Sequence, residues 1–194
     1  MQPCLILASA SPQRKTLLSG LGLRFDVIPS VVEESSCTER DPVRRAEFLS
    51  RLKAREVSEH HRGSIILGCD TLVVASDGQL LEKPVDAQDA LRMLRLQSGK
   101  TSVVHSGLTV IGEDGREHSG VSTSSVIFKK LSKEEEKWWI GTKLWEGRSG
   151  AFQIDGLGQL MIERIEGDWS GVVGLPVFLL GELMKEAGVS IANT

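Results

Sequence analysis

The chain has 194 residues, 40% of them hydrophobic and 25% charged, and a formal net charge of -3. The length suits one large domain, or two closely packed lobes, with a sizeable buried core. The charge offers no global field for nucleic acid or an anionic membrane, so any polyanion must meet a local cluster of cations. No apolar run approaches the roughly 18 residues of a membrane span, and Met1 to Ala8 lacks the charged start of a signal peptide and reads as a strand. Cys4, Cys37 and Cys69 are odd in number and form no CxxC pair, which points to free thiols in a reducing, cytoplasmic compartment.

In chain order, Cys4 to Ala8 is a buried strand. Ser11 and Pro12 then supply the cap and first position of a helix with Leu17, Leu18 and Leu21 on its apolar side. Phe25 to Ile28 is a second strand, and Asp41-Pro42 opens a longer helix to about Ser58. Ile65 to Cys69 is a buried strand, Thr71 to Ala75 continues extended, and Asp77-Gly78 is a hairpin turn. Asp86 caps a helix carrying Ala87, Ala90, Leu91 and Leu94. Val103 to Ile111 and Val121 to Phe128 pair around Asp114-Gly115. Ser132 and Glu135 form a capping box before Trp138 and Trp139. Phe152 to Ile165 reads as strand, punctuated by Gly156 and Gly158, and Pro176 starts a final helix, Val177 to Met184. The expected architecture is one α/β unit with a mixed sheet.

Four places suit chemistry. In Ser9-Ala10-Ser11-Pro12-Gln13-Arg14 a strand feeds a helix N-terminus, so free backbone N–H groups, two hydroxyls and a cation converge as a phosphate cradle. The same residues also make an ordinary helix cap. Asp70, between a buried strand and Thr71, sits where α/β ligand sites form, and suits a metal or a water proton; a turn aspartate reads the same way. Glu82-Lys83-Pro84 and Glu33-Glu34 offer carboxylates and an ammonium that would otherwise be solvated surface. Gly99-Lys100-Thr101 ends like a phosphate-binding loop, but Leu94 stands where the first glycine belongs and a helix precedes it.

Taken in order, these pieces resemble the Maf family. They are Ser9, Ser11 and Arg14; Glu33-Glu34; Leu49 to Ala54; Gly68 to Thr71; Glu82 to Pro84; Gly150 to Gly158; and Val172 to Pro176. The resemblance implies one Maf-like domain over residues 1–194, an elongated mixed β-sheet flanked by helices, with a central cleft between two lobes. It implies hydrolysis of a nucleoside triphosphate to the monophosphate and pyrophosphate with a divalent cation such as Mg2+, Mn2+ or Co2+. It places the proton acceptor at Asp70, with Lys53 and Lys83 beside it in catalysis. Ser9, Ser11 and Arg14 fall on substrate-binding positions, and Glu33 with Asp70 on the metal. In that family substrate choice follows three positions, here Gln13, Thr71 and Asp155. Only Thr71 matches the enzymes that prefer dTTP and UTP, and Asp155 is an acceptor where they carry an amide. A pyrimidine substrate is therefore expected, with no nucleic-acid or membrane partner and a homodimer left open. The rival readings are a house-cleaning pyrophosphatase for modified purine nucleotides and a nucleotide-binding division-arrest regulator.

Overall fold

The computed structural model describes residues 4–189, so the strand expectation at Met1 to Pro3 lies outside the described residues. The apolar run Leu5–Leu7 forms β1 and leads into α1 (Pro12–Gly20), which Ser11 caps and Pro12 begins. β2 (Asp26–Val27) follows, then a 3-10 turn at Glu34–Ser36 and α2 (Pro42–Ser58), capped by Asp41. β3 (Ile65–Val74) and β4 (Leu80–Leu81) form the hairpin expected at Asp77-Gly78, where Gly78 takes a φ of 86°. α3 (Ala87–Gln97) is capped by Asp86, and β5 (Thr101–Ile111) and β6 (Glu117–Phe128) pair antiparallel. α4 (Lys133–Thr142) begins with the capping box of Ser132 and Glu135. Two 3-10 turns, Ser149–Ala151 and Leu157–Met161, precede β7 (Ile162–Glu166), α5 (Trp169–Val173) and α6 (Val177–Glu186).

The strands make one mixed seven-stranded sheet in the order β2-β1-β3-β5-β6-β7, with β4 added to β3. β1 is parallel to β2 and β3, and the other pairs are antiparallel. Two apolar clusters divide the sheet lengthwise. One gathers Leu5, Leu7, Ile65, Leu67, Leu108, Leu180 and Met184; the other gathers Val73, Leu81, Leu94, Val104, Phe128, Trp139 and Met161. β3 runs from the first into the second, so the two lobes meet at its middle. On one side of β3, β1 pairs only as far as Leu67 and β4 begins only at Val73. The strand edge between those partners is open, and a cleft forms along it.

Two sequence expectations change. The strand expected from Phe152 to Ile165 is confined to Ile162–Glu166. Gly150 at a φ of 73° turns the chain, and the close packing of Gly158 on the Gln153 carbonyl turns it again. The Trp139 indole N–H, donating to Ala151 O at 2.8 Å, pins the first turn. Asp70 does not follow a strand but lies inside one, because pairing with β5 runs unbroken from Ile66 to Val74.

Small residues set the height of α2 above the sheet. A Cβ on Gly68 would collide with the Ser50 carbonyl oxygen and the Ala54 backbone, and one on Gly107 with the Ala46 carbonyl. Gly68→Ala is therefore expected to lift α2 and destabilise the fold by about 1–3 kcal/mol. Urea unfolding measures this; an unchanged midpoint would contradict the close packing.

Candidate active site

A cleft of about 400 Å³ opens along the free edge of β3. Its lining includes Ser9, Ser11, Gln13, Arg14, Ser30, Glu34, Lys53, Asp70, Thr71, Lys83, Arg148, Gln153 and Asp155. Consecutive strand residues point to opposite faces, so Asp70 meets α2 while Thr71 meets the elements on the other side.

On the α2 side, Lys53 Nζ donates to Asp70 Oδ1 at 2.6 Å and pairs with Glu34 Oε1 at 2.8 Å. Asp70 is only 3% exposed and Lys53 9%. Burial pushes the Asp70 carboxyl above its ordinary range, against the opposing pull of Lys53 and Arg14. Burial acts on Glu34 in the same sense, but its hydrogen bond to Lys53, with the charges of Lys83 and Arg14, holds it below the usual range. The second Asp70 oxygen, Oδ2, is buried and has no hydrogen-bond partner.

At the α1 end, Ser9 Oγ accepts from the Ser11 N–H at 3.2 Å and from Arg14 Nη1 at 2.9 Å. Its own O–H is left to donate. The Ser11 hydroxyl donates to Gln13 Oε1 at 3.2 Å. Arg14 also donates from Nε to Gly174 O at 2.8 Å and from Nη2 to Thr71 Oγ1 at 3.1 Å. A guanidinium has five N–H groups, so two remain for an anion. Arg14, Lys53, Lys83 and Arg148 thus face the cleft against Glu34, Asp70 and Asp155.

Of the residues expected from sequence, Ser9, Ser11, Gln13, Arg14, Lys53, Asp70, Thr71, Lys83 and Asp155 converge here. Glu33 does not: it is exposed, accepts from the Ser35 hydroxyl at 3.0 Å, and is outside the lining. Its neighbour Glu34, the first residue of the 3-10 turn, faces the cleft instead. Glu82 also turns outward, to Arg45 at 3.3 Å. Arg148 and Gln153 were missed by sequence reasoning. The turn signal of Gly147 and Gly150 around Arg148-Ser149 could have drawn attention to the first.

The donor set fits a divalent cation. A Mg2+-like ion needs only one or two carboxylates when substrate oxygens and waters complete its shell, and the unpartnered Asp70 Oδ2 lies on a carboxylate that shares Lys53 with Glu34. Among the described residues there is no group of three or more His, Cys, Asp or Glu that would hold a metal on its own.

The chain is 43% identical to a dTTP/UTP pyrophosphatase of Deinococcus radiodurans over 97% of this chain and 95% of that one. It is 41% identical to a dTTP/UTP pyrophosphatase of Methanosarcina barkeri over 96% of this chain and 95% of that one. Among solved structures, a HAM1 protein from Coxiella burnetii is similar over 68% of this chain and 76% of that one, at 15% identity and a TM-score of 0.45. The family model for Maf-like proteins matches residues 4–187, and the chain belongs to the Maf family.

Proposed function

We propose that this protein hydrolyses nucleoside triphosphates between the α- and β-phosphates, releasing the monophosphate and pyrophosphate, with pyrimidine nucleotides (UTP, dTTP or CTP) preferred. The observation that carries the reading is the convergence of Arg14, Lys53, Lys83 and Arg148 around the buried carboxylate of Asp70. A triphosphate brings about four negative charges, which these cations and the N-terminus of α1 offset. The Ser9 O–H adds a donor toward a phosphate oxygen.

Asp70 is the general base. Oδ1 is held by Lys53, so the rotamer is fixed, and Oδ2 is the free atom that accepts a proton from the attacking water. Burial raises its basicity toward the range in which a base works at neutral pH. Glu34, which faces the cleft beside Lys53, would hold the divalent cation together with substrate oxygens, and the cation when bound supplies charge neutralisation at the phosphates.

The pyrimidine preference rests on the two relatives, both named dTTP/UTP pyrophosphatase, and on Thr71. Gln13 and Asp155 face the same cleft and set the finer choice of base. Pyrophosphate release across UTP, CTP, dTTP, GTP and 7-methyl-GTP tests the reading; a clear lead for either purine would overturn it. Asp155→Gln replaces an acceptor-only group with one that both donates and accepts. It is expected to reorder the pyrimidines by about fivefold or more in kcat/KM, and an unchanged ranking would remove Asp155 from base contact.

We treat the chain as one domain because β3 and β5 serve both apolar clusters. The free thiols of Cys4, Cys37 and Cys69 support a cytoplasmic setting. No helix among the described residues is long and apolar enough to cross a membrane.

A further inference from the structure

The hydroxyl of Thr71 has one proton and two lone pairs, and the surrounding bonds decide where each goes. The Gly171 carbonyl can only accept, so the Ser106 hydroxyl donates to it, at 2.6 Å. Ser106 has then spent its proton. In its 3.1 Å contact with Thr71 Oγ1, Thr71 must be the donor. Arg14 Nη2 can only donate, and fills one Thr71 lone pair at 3.1 Å. Ser106 is fully buried and does not line the cleft, whereas Thr71 does. What Thr71 has left for a ligand is a single acceptor position.

We infer that Ser106 is a positioning residue that fixes the polarity of Thr71, so that Thr71 selects a substrate group carrying an N–H or O–H donor. An ionised phosphate has only acceptors, so the group that meets Thr71 belongs to the base or the sugar. A pyrimidine ring nitrogen that bears hydrogen fits, as does a ribose hydroxyl. A bare ring nitrogen does not. The inference rests on the triphosphate reading above.

The two donor sources separate in paired measurements on the purified protein. UTP against CTP compares a ring N3–H beside an acceptor O4 with a bare N3 beside a donor 4-amino group. A lead for UTP reports the ring N–H, and a lead for CTP would overturn the inference. UTP against dUTP compares ribose with deoxyribose. The parent protein is expected to favour UTP in one of these pairs by about fivefold or more in kcat/KM. Ser106→Ala releases the Thr71 proton to rotate toward the cleft, and that ratio should fall toward one. Ser106→Thr, which keeps the hydroxyl, should restore it. Thr71→Val should abolish the preference, and Ser106→Ala should then change it no further. Parallel calorimetry with the α,β-methylene analogues of the same nucleotides reads the preference without turnover. A protein that binds the analogues with these ratios but releases no pyrophosphate would refute the hydrolytic reading and leave the inference standing. A parent with no preference in either pair would overturn it. So would Ser106→Ala with unchanged ratios, or an effect of Ser106→Ala that persists in the Thr71→Val background. Should Ser106→Ala not fold, Ser106→Cys carries the test: its weaker donor and acceptor should lower the ratio, and a folded Ser106→Cys with an unchanged ratio would overturn the inference.

Discussion

Asp70→Asn is expected to lower kcat by about 10² to 10⁴-fold, the contribution of a positioned general base. The substitution keeps the shape and leaves a carbonyl oxygen for Lys53, but removes the charge and the basic lone pair of Oδ2, the atom proposed to take the proton from water. Nucleotide affinity should persist or rise, because a carboxylate no longer opposes the phosphates. The site is too deeply buried for the change to be silent in stability, yet Lys53 keeps its 2.8 Å contact with Glu34. The loss should therefore stay near 1–3 kcal/mol. Pyrophosphate release together with calorimetric binding of a triphosphate checks both halves. A folded variant working at close to the parent rate would pass the role of base to Glu34, the other carboxylate on Lys53.

Lys53→Met should have the largest effect on stability. The methionine keeps most of the aliphatic stem, but Asp70 then stays buried with no counter-ion in contact. Removing one partner of a buried pair costs about 3–5 kcal/mol. The pH dependence has a definite sign. Asp70 already has a folded pKa above its ordinary 3.8, and Lys53 was the main influence lowering it. A group with a raised folded pKa contributes stability that is complete below the unfolded value and lost as pH rises through the folded one. The variant should thus recover stability relative to the parent as the solution is acidified and lose it toward neutral and alkaline pH. Urea midpoints measured at several pH values test this, and a deficit independent of pH would show that Asp70 had found another partner.

What the sequence made legible was mostly local. Ser11-Pro12, Asp41-Pro42, Asp86 and the Ser132–Glu135 box mark helix starts because capping is decided within four residues, and each begins a helix in the structure. The Asp77-Gly78 hairpin was equally local. The continuation of β3 through Asp70 was not, because it depends on a ladder with β5, more than thirty residues away. Which of Glu33 and Glu34 enters the cleft turns on a 3-10 turn that leaves no periodic signal. The same holds from Phe152 to Met161, where apolar residues are buried by turns rather than by pleating. Arg14 was visible as a cation near a helix start, but its bond to Gly174 joins residues 160 positions apart and has no sequence signature.

The two glycines under α2 have a consequence for how this enzyme tolerates change. Because Gly68 and Gly107 let the helix rest on main chain, the separation between the Lys53 and Asp70 backbones is fixed by atoms that every amino acid shares. Substitutions at Leu49 or Val57, both buried on α2, would alter how firmly the helix is held without altering how far it stands from the strand. Robustness and reactivity are therefore adjustable at different positions. Truncating drift in the core can proceed while the spacing of the reactive pair is inherited intact, and a methyl group at position 68 or 107 couples the two.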